Sequence, residues 1–167
     1  MKCQKNKFNM TGKKVYLNCA YMSPMLKKVE KAGIRGIHFQ RKPDKIMPEH
    51  FFNNIEEIKT SFAKLINCQN PDRIAYVPAA SYGLANVTNN IKLEKGENVV
   101  VVGDQFPSNV YPWMNLTKKY KGDLNFVLKD TSSKNPGRKW NEDILKAINK
   151  KTKVISMGIV HWADGTI

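Results

Sequence analysis

Three stretches of the sequence carry residues that could bind a ligand, and each follows a run typical of a β-strand. In the first, PAASYGLANV (Pro78–Val87), small residues and a serine separate a predicted strand, Ile74–Val77, from a predicted helix, Tyr82–Ile91. The second is GDQFPSNVYPW (Gly103–Trp113), and the third is VHWADGT (Val160–Thr166). Because ligands of open α/β sheets bind outside the carboxyl ends of the strands, these stretches are the candidate site segments.

Ser81 admits two interpretations at the start of its predicted helix. The first backbone N–H groups of a helix lack intrahelical partners, and with the positive end of the helix dipole they can bind a phosphate. Ala79 and Ala80 would let the backbone approach such an anion, Ser81 would add a hydroxyl donor, and Gly83 would permit close packing. Alternatively, Ser81 is only the N-cap. The sequence has no GxGxxG and no GxxxxGK[ST] motif, so neither dinucleotide nor P-loop binding is indicated.

Phe106 follows the predicted strand Asn98–Gly103 and is held there by Pro107. An aromatic side chain at the end of a strand could stack on a flat ligand ring. The alternative is an ordinary core phenylalanine, since phenylalanine is among the residues most often buried. Ser108 is predicted to cap the next helix, Ser108–Tyr120.

His161 and Trp162 follow the last predicted strand, Lys153–Val160. A polar group at this position could meet the edge of a bound ligand, although a lone histidine is also compatible with a purely structural role. His38 and His50 lie too far away in sequence to form a metal cluster with His161, and no other metal-ligand spacing is present. No metal site is therefore predicted.

The elements that position these residues alternate in the manner of an α/β domain with a mostly parallel sheet. A helix is predicted from Pro24 to near Gly33, and an amphipathic helix over Glu49–Ile66. After this helix, predicted strands and helices alternate along the chain. Besides the elements named above, this part contains a strand over Leu124–Lys129 and a helix over Asn141–Lys150. The continuous apolar run VVVV (Val99–Val102) is typical of a strand that is covered on both faces.

Composition narrows the classes of protein that this sequence can encode. The chain has 167 residues, 41% of them hydrophobic, and no apolar run approaches the roughly 18 residues of a membrane span. The net charge of +14 raises the possibility of a nucleic-acid-binding α/β module, yet the lysines are scattered and lack the interleaved aromatics of a base-stacking surface. Three isolated cysteines (Cys3, Cys19 and Cys68) and the absence of a secretory signal indicate a reducing, cytoplasmic location.

Four segments in order resemble the class V aminotransferase family of pyridoxal-phosphate enzymes, which includes cysteine desulfurases, kynureninase and isopenicillin N epimerase. They are VYLNCAYMSPM, NPDRIAYVPAASYGLANV, KGENVVVVGDQFPSNVYPW and VISMGIVHWADGTI. The resemblance covers roughly residues 14–167. It implies fold type I, the aspartate aminotransferase-like fold, of which this chain would hold the N-terminal part.

The resemblance also assigns roles to the candidate residues. Ala80 and Ser81 fall where the family holds the phosphate of pyridoxal phosphate, and Phe106 falls where a side chain stacks on the cofactor ring. Cysteine desulfurases usually carry histidine there, and FPS looks closer to kynureninase. The polar group near the ring hydroxyl falls at His161 or Trp162. Ala20 and Tyr21 fall on the substrate side.

The resemblance implies a domain plan and a reaction. Residues 1–47 would form an arm toward the small domain, and residues 48–167 an incomplete large cofactor-binding domain. The aspartate that pairs with the pyridine nitrogen and the Schiff-base lysine are expected beyond Ile167, with the rest of the large domain and the small domain. The catalytic residues are therefore unknown within this chain.

The intact protein would be a homodimer that acts on an amino acid through an external aldimine and α-carbon deprotonation. The outcome would be transamination or C–S or C–C lyase chemistry. The 167 residues alone are expected to be inactive, and an inactive binding relative is the alternative.

Overall fold

The structure, a computed structural model, describes residues 2–10, 12, 15–19 and 22–167. The chain forms two compact units, Met1–Tyr76 and Val77–Ile167. No helix in the described part of the chain is long and apolar enough to cross a membrane. Across the same residues, no group of three or more His, Cys, Asp or Glu side chains is placed to hold a metal ion.

In the described part of the first unit, the α-helices are α1 (Lys27–Phe39) and α2 (Asn53–Leu65). The helix predicted over Glu49–Ile66 is thus confirmed, with a short 3₁₀ turn in place of its first residues. The prediction that α1 ends near Gly33 is wrong, because the helix runs on through that glycine. Glycine inside a helix costs only about 1 kcal/mol relative to alanine, which neighbouring turns can offset.

The second unit alternates helices and strands around a three-stranded parallel sheet of order β2-β1-β3. This confirms the predicted α/β class. The elements in chain order are α3 (Ala80–Asn90), β1 (Asn98–Val102), α4 (Tyr111–Tyr120), β2 (Asp123–Val127), α5 (Pro136–Ala147) and β3 (Thr152–Ser156). The strand predicted over Ile74–Val77 is wrong: this segment has no ladder partner among the described residues, and apolar character alone does not make a strand.

The central strand β1 is buried on both faces, as its apolar run predicted. Val99 and Val101 pack with Trp113 and Leu116 of α4 on one face of the sheet. On the other face, Val100 and Val102 pack with Val127 of β2 and Trp140 of α5. Each buried valine contributes about 1.5–3 kcal/mol, so the sheet is held by apolar packing from both sides.

The connections bring the candidate site segments to one edge of the sheet. The chain leaves β1 toward β2 and then crosses back over β1 to β3, so α4 and α5 cover opposite faces. Helix α3 packs against α4 and against the 3₁₀ turn Pro107–Asn109 that follows β1. Leu93, just after α3, lies beside Gly122 at the amino end of β2. The N-terminus of α3 is therefore directed toward the carboxyl edge of the sheet.

Candidate functional site

Helix α3 presents donors at its N-terminus that have no partner among the described residues. The helix begins at Ala80, with Ala79 as an extended N-cap residue whose side chain makes no cap. The carbonyl of Ala79 accepts hydrogen bonds from the N–H groups of Tyr82 and Gly83. Among the described residues, neither the N–H groups of Ala80 and Ser81 nor the Ser81 hydroxyl have a hydrogen-bond partner.

This arrangement bears on one of the two interpretations of Ser81, its role as the N-cap. Ser81 is the second residue of α3, so the N-cap interpretation is wrong. Ala79, Ala80 and Ser81 are all exposed, and no acidic residue lies in the first turn of the helix to compete for its positive end. The geometry suits an anion that accepts from backbone N–H groups and a hydroxyl.

Phe106 lies in the turn that follows β1, and 46% of its surface is exposed. The interpretation as a core phenylalanine is therefore wrong. Its ring meets the ring of Trp162 edge to face, with centroids 5.7 Å apart and planes at 90°. Ser108 is not the N-cap of α4, because a 3₁₀ turn (Pro107–Asn109) intervenes and Val110 takes that position.

The same turn is fixed at its start by residues that follow β3. The Nε2 atom of His161 lies 3.2 Å from the carbonyl oxygen of Gly103, and the indole Nε1 of Trp162 donates to the carbonyl of Asp104 at 2.6 Å. Asp104 has a φ of 52°, in the left-handed region that aspartate tolerates better than most residues. Two side chains from one segment thus hold the backbone of another at a strained position.

His161 is buried, with 7% of its surface exposed, and both of its ring nitrogens face acceptors. Nδ1 lies 3.2 Å from Oδ1 of Asp164, and Nε2 faces Gly103. The imidazole also contacts the ring of Trp140, with centroids 5.2 Å apart. Both ring nitrogens are therefore engaged within the fold.

Asp164, whose carboxylate contacts His161, also forms an ion pair with Lys129. The ammonium of Lys129 lies 2.6 Å from Oδ2 of Asp164, contacts the Thr166 hydroxyl and lies 5.5 Å from the centre of the Trp140 ring. The backbone N–H of Thr166 donates to Oδ1 of Asp164 at 3.0 Å. Hydrogen bonds from Lys129 and then from Thr166 hold the pKa of the Asp164 carboxyl well below its ordinary value of 3.8.

Asn109 joins three neighbouring segments, and the sequence interpretation missed it. Its Oδ1 accepts from Ser156 at the end of β3 (2.5 Å) and from the indole of Trp113 in α4 (3.1 Å). Its Nδ2 donates to Oε1 of Gln105 at 3.0 Å. A polar residue four positions before a buried tryptophan, at the start of a helix, was the available signal, since side chains four apart meet on one helix face.

A cavity of about 320 Å³ opens beside these residues at the carboxyl edge of the sheet. Its walls are mostly apolar and include Trp140 and Ile144 of α5 and Met157 after β3. His161 and Gln105 are among the polar residues that line it.

The structure brings together Phe106, His161 and Trp162, and it places α3 against the turn that follows Phe106. Ala20 and Tyr21, the residues predicted on the substrate side, lie outside the described residues.

Comparison with known proteins identifies the family. The sequence model described as "Aminotransferase class-V" matches residues 39–167, more than three quarters of the chain. The chain belongs to the class V aminotransferase family. The resemblance drawn from the four sequence segments is thereby confirmed.

Curated relatives of this class V chain are named cysteine desulfurases. A putative cysteine desulfurase of Plasmodium berghei is 31% identical over 120 residues, which cover 69% of this chain and 22% of the relative. A cysteine desulfurase of Wigglesworthia glossinidia brevipalpis is 27% identical over 96 residues, covering 56% of this chain and 22% of the relative. The chain thus spans about a quarter or less of the length of these relatives.

Solved structures confirm the fold as that of fold type I pyridoxal-phosphate enzymes. The structure of a C-DES mutant with glycine covalently linked to its PLP cofactor matches with a TM-score of 0.77 and 12% identity, over 92% of this chain and 40% of that one. The cysteine desulfurase CsdA of Escherichia coli matches with a TM-score of 0.56 and 15% identity, over 64% of this chain and 27% of that one.

Proposed function

We propose that this chain is the N-terminal portion of a pyridoxal-phosphate-dependent enzyme that acts on an amino-acid substrate. The observation that carries the proposal is the N-terminus of α3, where two N–H groups and a hydroxyl of Ala80 and Ser81 have no partner within the described part of the chain. A phosphate monoester would accept from these donors and would face the positive end of the helix dipole. Family membership supports this choice of anion over others.

The residues present fit the ring of the cofactor as well as its phosphate. Phe106 is half-exposed at the carboxyl edge of the sheet, so its ring is available for stacking. His161 and Trp162 would lie at the edge of the cofactor ring. Because their ring nitrogens are already bonded to backbone carbonyls and Asp164, we propose that they shape this edge and exclude water from it.

The cofactor, when bound, supplies an electron sink for the bond that breaks at the substrate α-carbon. The residues of this chain would bind and orient it, whereas the proton-transferring lysine and the pyridine-pairing aspartate are expected beyond Ile167. We therefore expect no turnover by the 167 residues alone. For the intact enzyme we propose either amino transfer or cleavage of a C–S or C–C bond. The names of the relatives, cysteine desulfurases, favour cleavage of a C–S bond. We further propose a cytoplasmic homodimer for the intact enzyme.

Binding of pyridoxine 5′-phosphate to the 167-residue chain tests the proposed function. This analogue has no aldehyde, so it cannot form Schiff bases with exposed lysines. We expect calorimetry to detect its binding. Pyridoxine should bind at least tenfold more weakly, because it lacks the phosphate group. Ser81→Ala should weaken the binding of pyridoxine 5′-phosphate by about tenfold, since the substitution removes a hydrogen bond to a charged group.

Thr88→Ala is the matched control, because Thr88 lies two turns further along α3 and its hydroxyl donates within the helix to the carbonyl of Ala85. We expect this variant to bind pyridoxine 5′-phosphate as the wild type does. Equal affinity for pyridoxine and its phosphate, or equal losses in Ser81→Ala and Thr88→Ala, would contradict the proposed site.

A further inference from the structure

Asn109 makes two hydrogen bonds to the turn that carries Phe106. Its Nδ2 bonds the side chain of Gln105, the residue before Phe106, and its backbone N–H donates to the Phe106 carbonyl at 2.8 Å. Two hydrogen bonds from one residue thus reach Phe106 and the residue before it. The Oδ1 of the same carboxamide is fixed by Ser156 and Trp113.

The two partners of the Asn109 Oδ1 atom are buried. Trp113 is 2% exposed and belongs to the core cluster that covers β1, and Ser156 is the buried last residue of β3. Because Oδ1 accepts from two buried donors, rotation of the carboxamide would leave both donors unpaired in a dry environment. The orientation of Nδ2 toward Gln105 is therefore fixed by the core.

We propose that Asn109 is a positioning residue for Phe106, which holds the aromatic ring at the height and tilt needed to stack on a flat, phosphate-bearing ligand. This inference rests on the proposed function for the identity of the ligand. Phe106 itself is exposed and has an edge contact with Trp162 on one side. A rigid support reduces the ordering cost when a ligand binds such a ring.

Two affinities separate positioning from a general loss of structure. Asn109→Ala should weaken the binding of pyridoxine 5′-phosphate by about three- to tenfold, which is the range for a lost aromatic contact. It should leave the affinity for inorganic phosphate unchanged, as reported by the amide resonances of Ala80 and Ser81, because the hydrogen bonds of the Asn109 side chain go to residues outside α3. The control Asn115→Ala, at an exposed asparagine of α4, should change neither affinity.

A double-mutant cycle tests the link to the ring directly. If Asn109 acts through Phe106, Asn109→Ala should have no further effect on pyridoxine 5′-phosphate binding in a Phe106→Ala background. Full additivity of the two losses would overturn the inference. The inference would also be overturned if Asn109→Ala lost as much affinity for inorganic phosphate as for pyridoxine 5′-phosphate.

The ligand-free chain gives a readout that does not depend on the proposed function. The indole N–H resonance of Trp162, which is bonded to Asp104 in the same turn, should shift in Asn109→Ala and stay unchanged in Asn115→Ala. An unmoved resonance would overturn the inference even if pyridoxine 5′-phosphate binds. Absence of pyridoxine 5′-phosphate binding to the wild type, with the resonance shifted in Asn109→Ala, would instead refute the proposed function and leave the support of the turn established.

Discussion

The rings of Phe106 and Trp162 meet edge to face, with their centroids 5.7 Å apart and their planes at 90°. The contact joins the turn after β1 to the segment after β3, and the indole hydrogen bond to Asp104 reinforces it. Two carboxyl-edge segments that are 56 residues apart in sequence thus form one wall of the candidate site.

Trp162→Phe tests the hydrogen bond in this wall separately from the ring contact. Phenylalanine preserves an aromatic edge for Phe106 but removes the indole donor, so the carbonyl of Asp104 loses its partner. We expect a loss of about 1 kcal/mol in the free energy of unfolding, measured in urea, and a smaller effect on pyridoxine 5′-phosphate binding than Phe106→Ala causes. A larger binding loss in Trp162→Phe than in Phe106→Ala would contradict the assigned stacking role.

Ala80→Pro tests the backbone donor at the start of α3. Proline removes one N–H group, and it is well tolerated at the first position of a helix. The extended backbone of Ala79 (φ −158°, ψ 158°) is compatible with a following proline. We expect unchanged helix content by circular dichroism and pyridoxine 5′-phosphate binding weakened by about tenfold. Unchanged binding with an intact helix would remove Ala80 from the site.

The parts of the fold that could be predicted from sequence are those governed by local pattern. The run Val99–Val102 predicted a doubly covered strand, and the apolar spacing in Glu49–Ile66 predicted α2. The end of α1 and the absence of a strand over Ile74–Val77 could not be predicted, because glycine tolerance and strand pairing depend on neighbours that local sequence does not specify.

The site shows the same division between local and long-range information. The strand-to-helix junction at Ser81 pointed to the proposed anion site, since free donors at a helix start follow from helix geometry. The bonds of His161 to Gly103 and of Lys129 to Asp164 join residues 58 and 35 positions apart. No local pattern encodes such pairs, so their roles emerged only from the structure.

Asp164→Asn tests the ion pair between Asp164 and Lys129. The pKa of Asp164 is lowered in the fold, so its carboxylate adds stability that is complete above the ordinary value of 3.8 and is lost as the pH falls through the folded value. We expect wild-type melting temperatures to fall on acidification below about pH 4, and Asp164→Asn to flatten part of this fall. The control Asp123→Asn, at an exposed carboxylate that starts β2, should retain the wild-type slope. Identical slopes in all three proteins would contradict the role of the pair.

Trp140→Phe tests the polar contact that ties α5 to the sheet. The buried indole Nε1 donates to the Val127 carbonyl at 2.8 Å, and phenylalanine would leave that carbonyl without its partner while keeping most of the apolar packing. We expect a destabilisation of about 1–3 kcal/mol in urea unfolding. Wild-type stability in this variant would show that packing alone holds α5 in place.

The most direct test of the central claim is a nuclear magnetic resonance titration of the labelled chain with pyridoxine 5′-phosphate. If the N-terminus of α3 holds the phosphate, the backbone amide resonances of Ala80 and Ser81 will show the largest shifts, and inorganic phosphate will move the same two resonances in the same direction. If those amides stay unmoved while resonances of exposed lysine segments shift, the phosphate binds elsewhere and the proposed site is wrong.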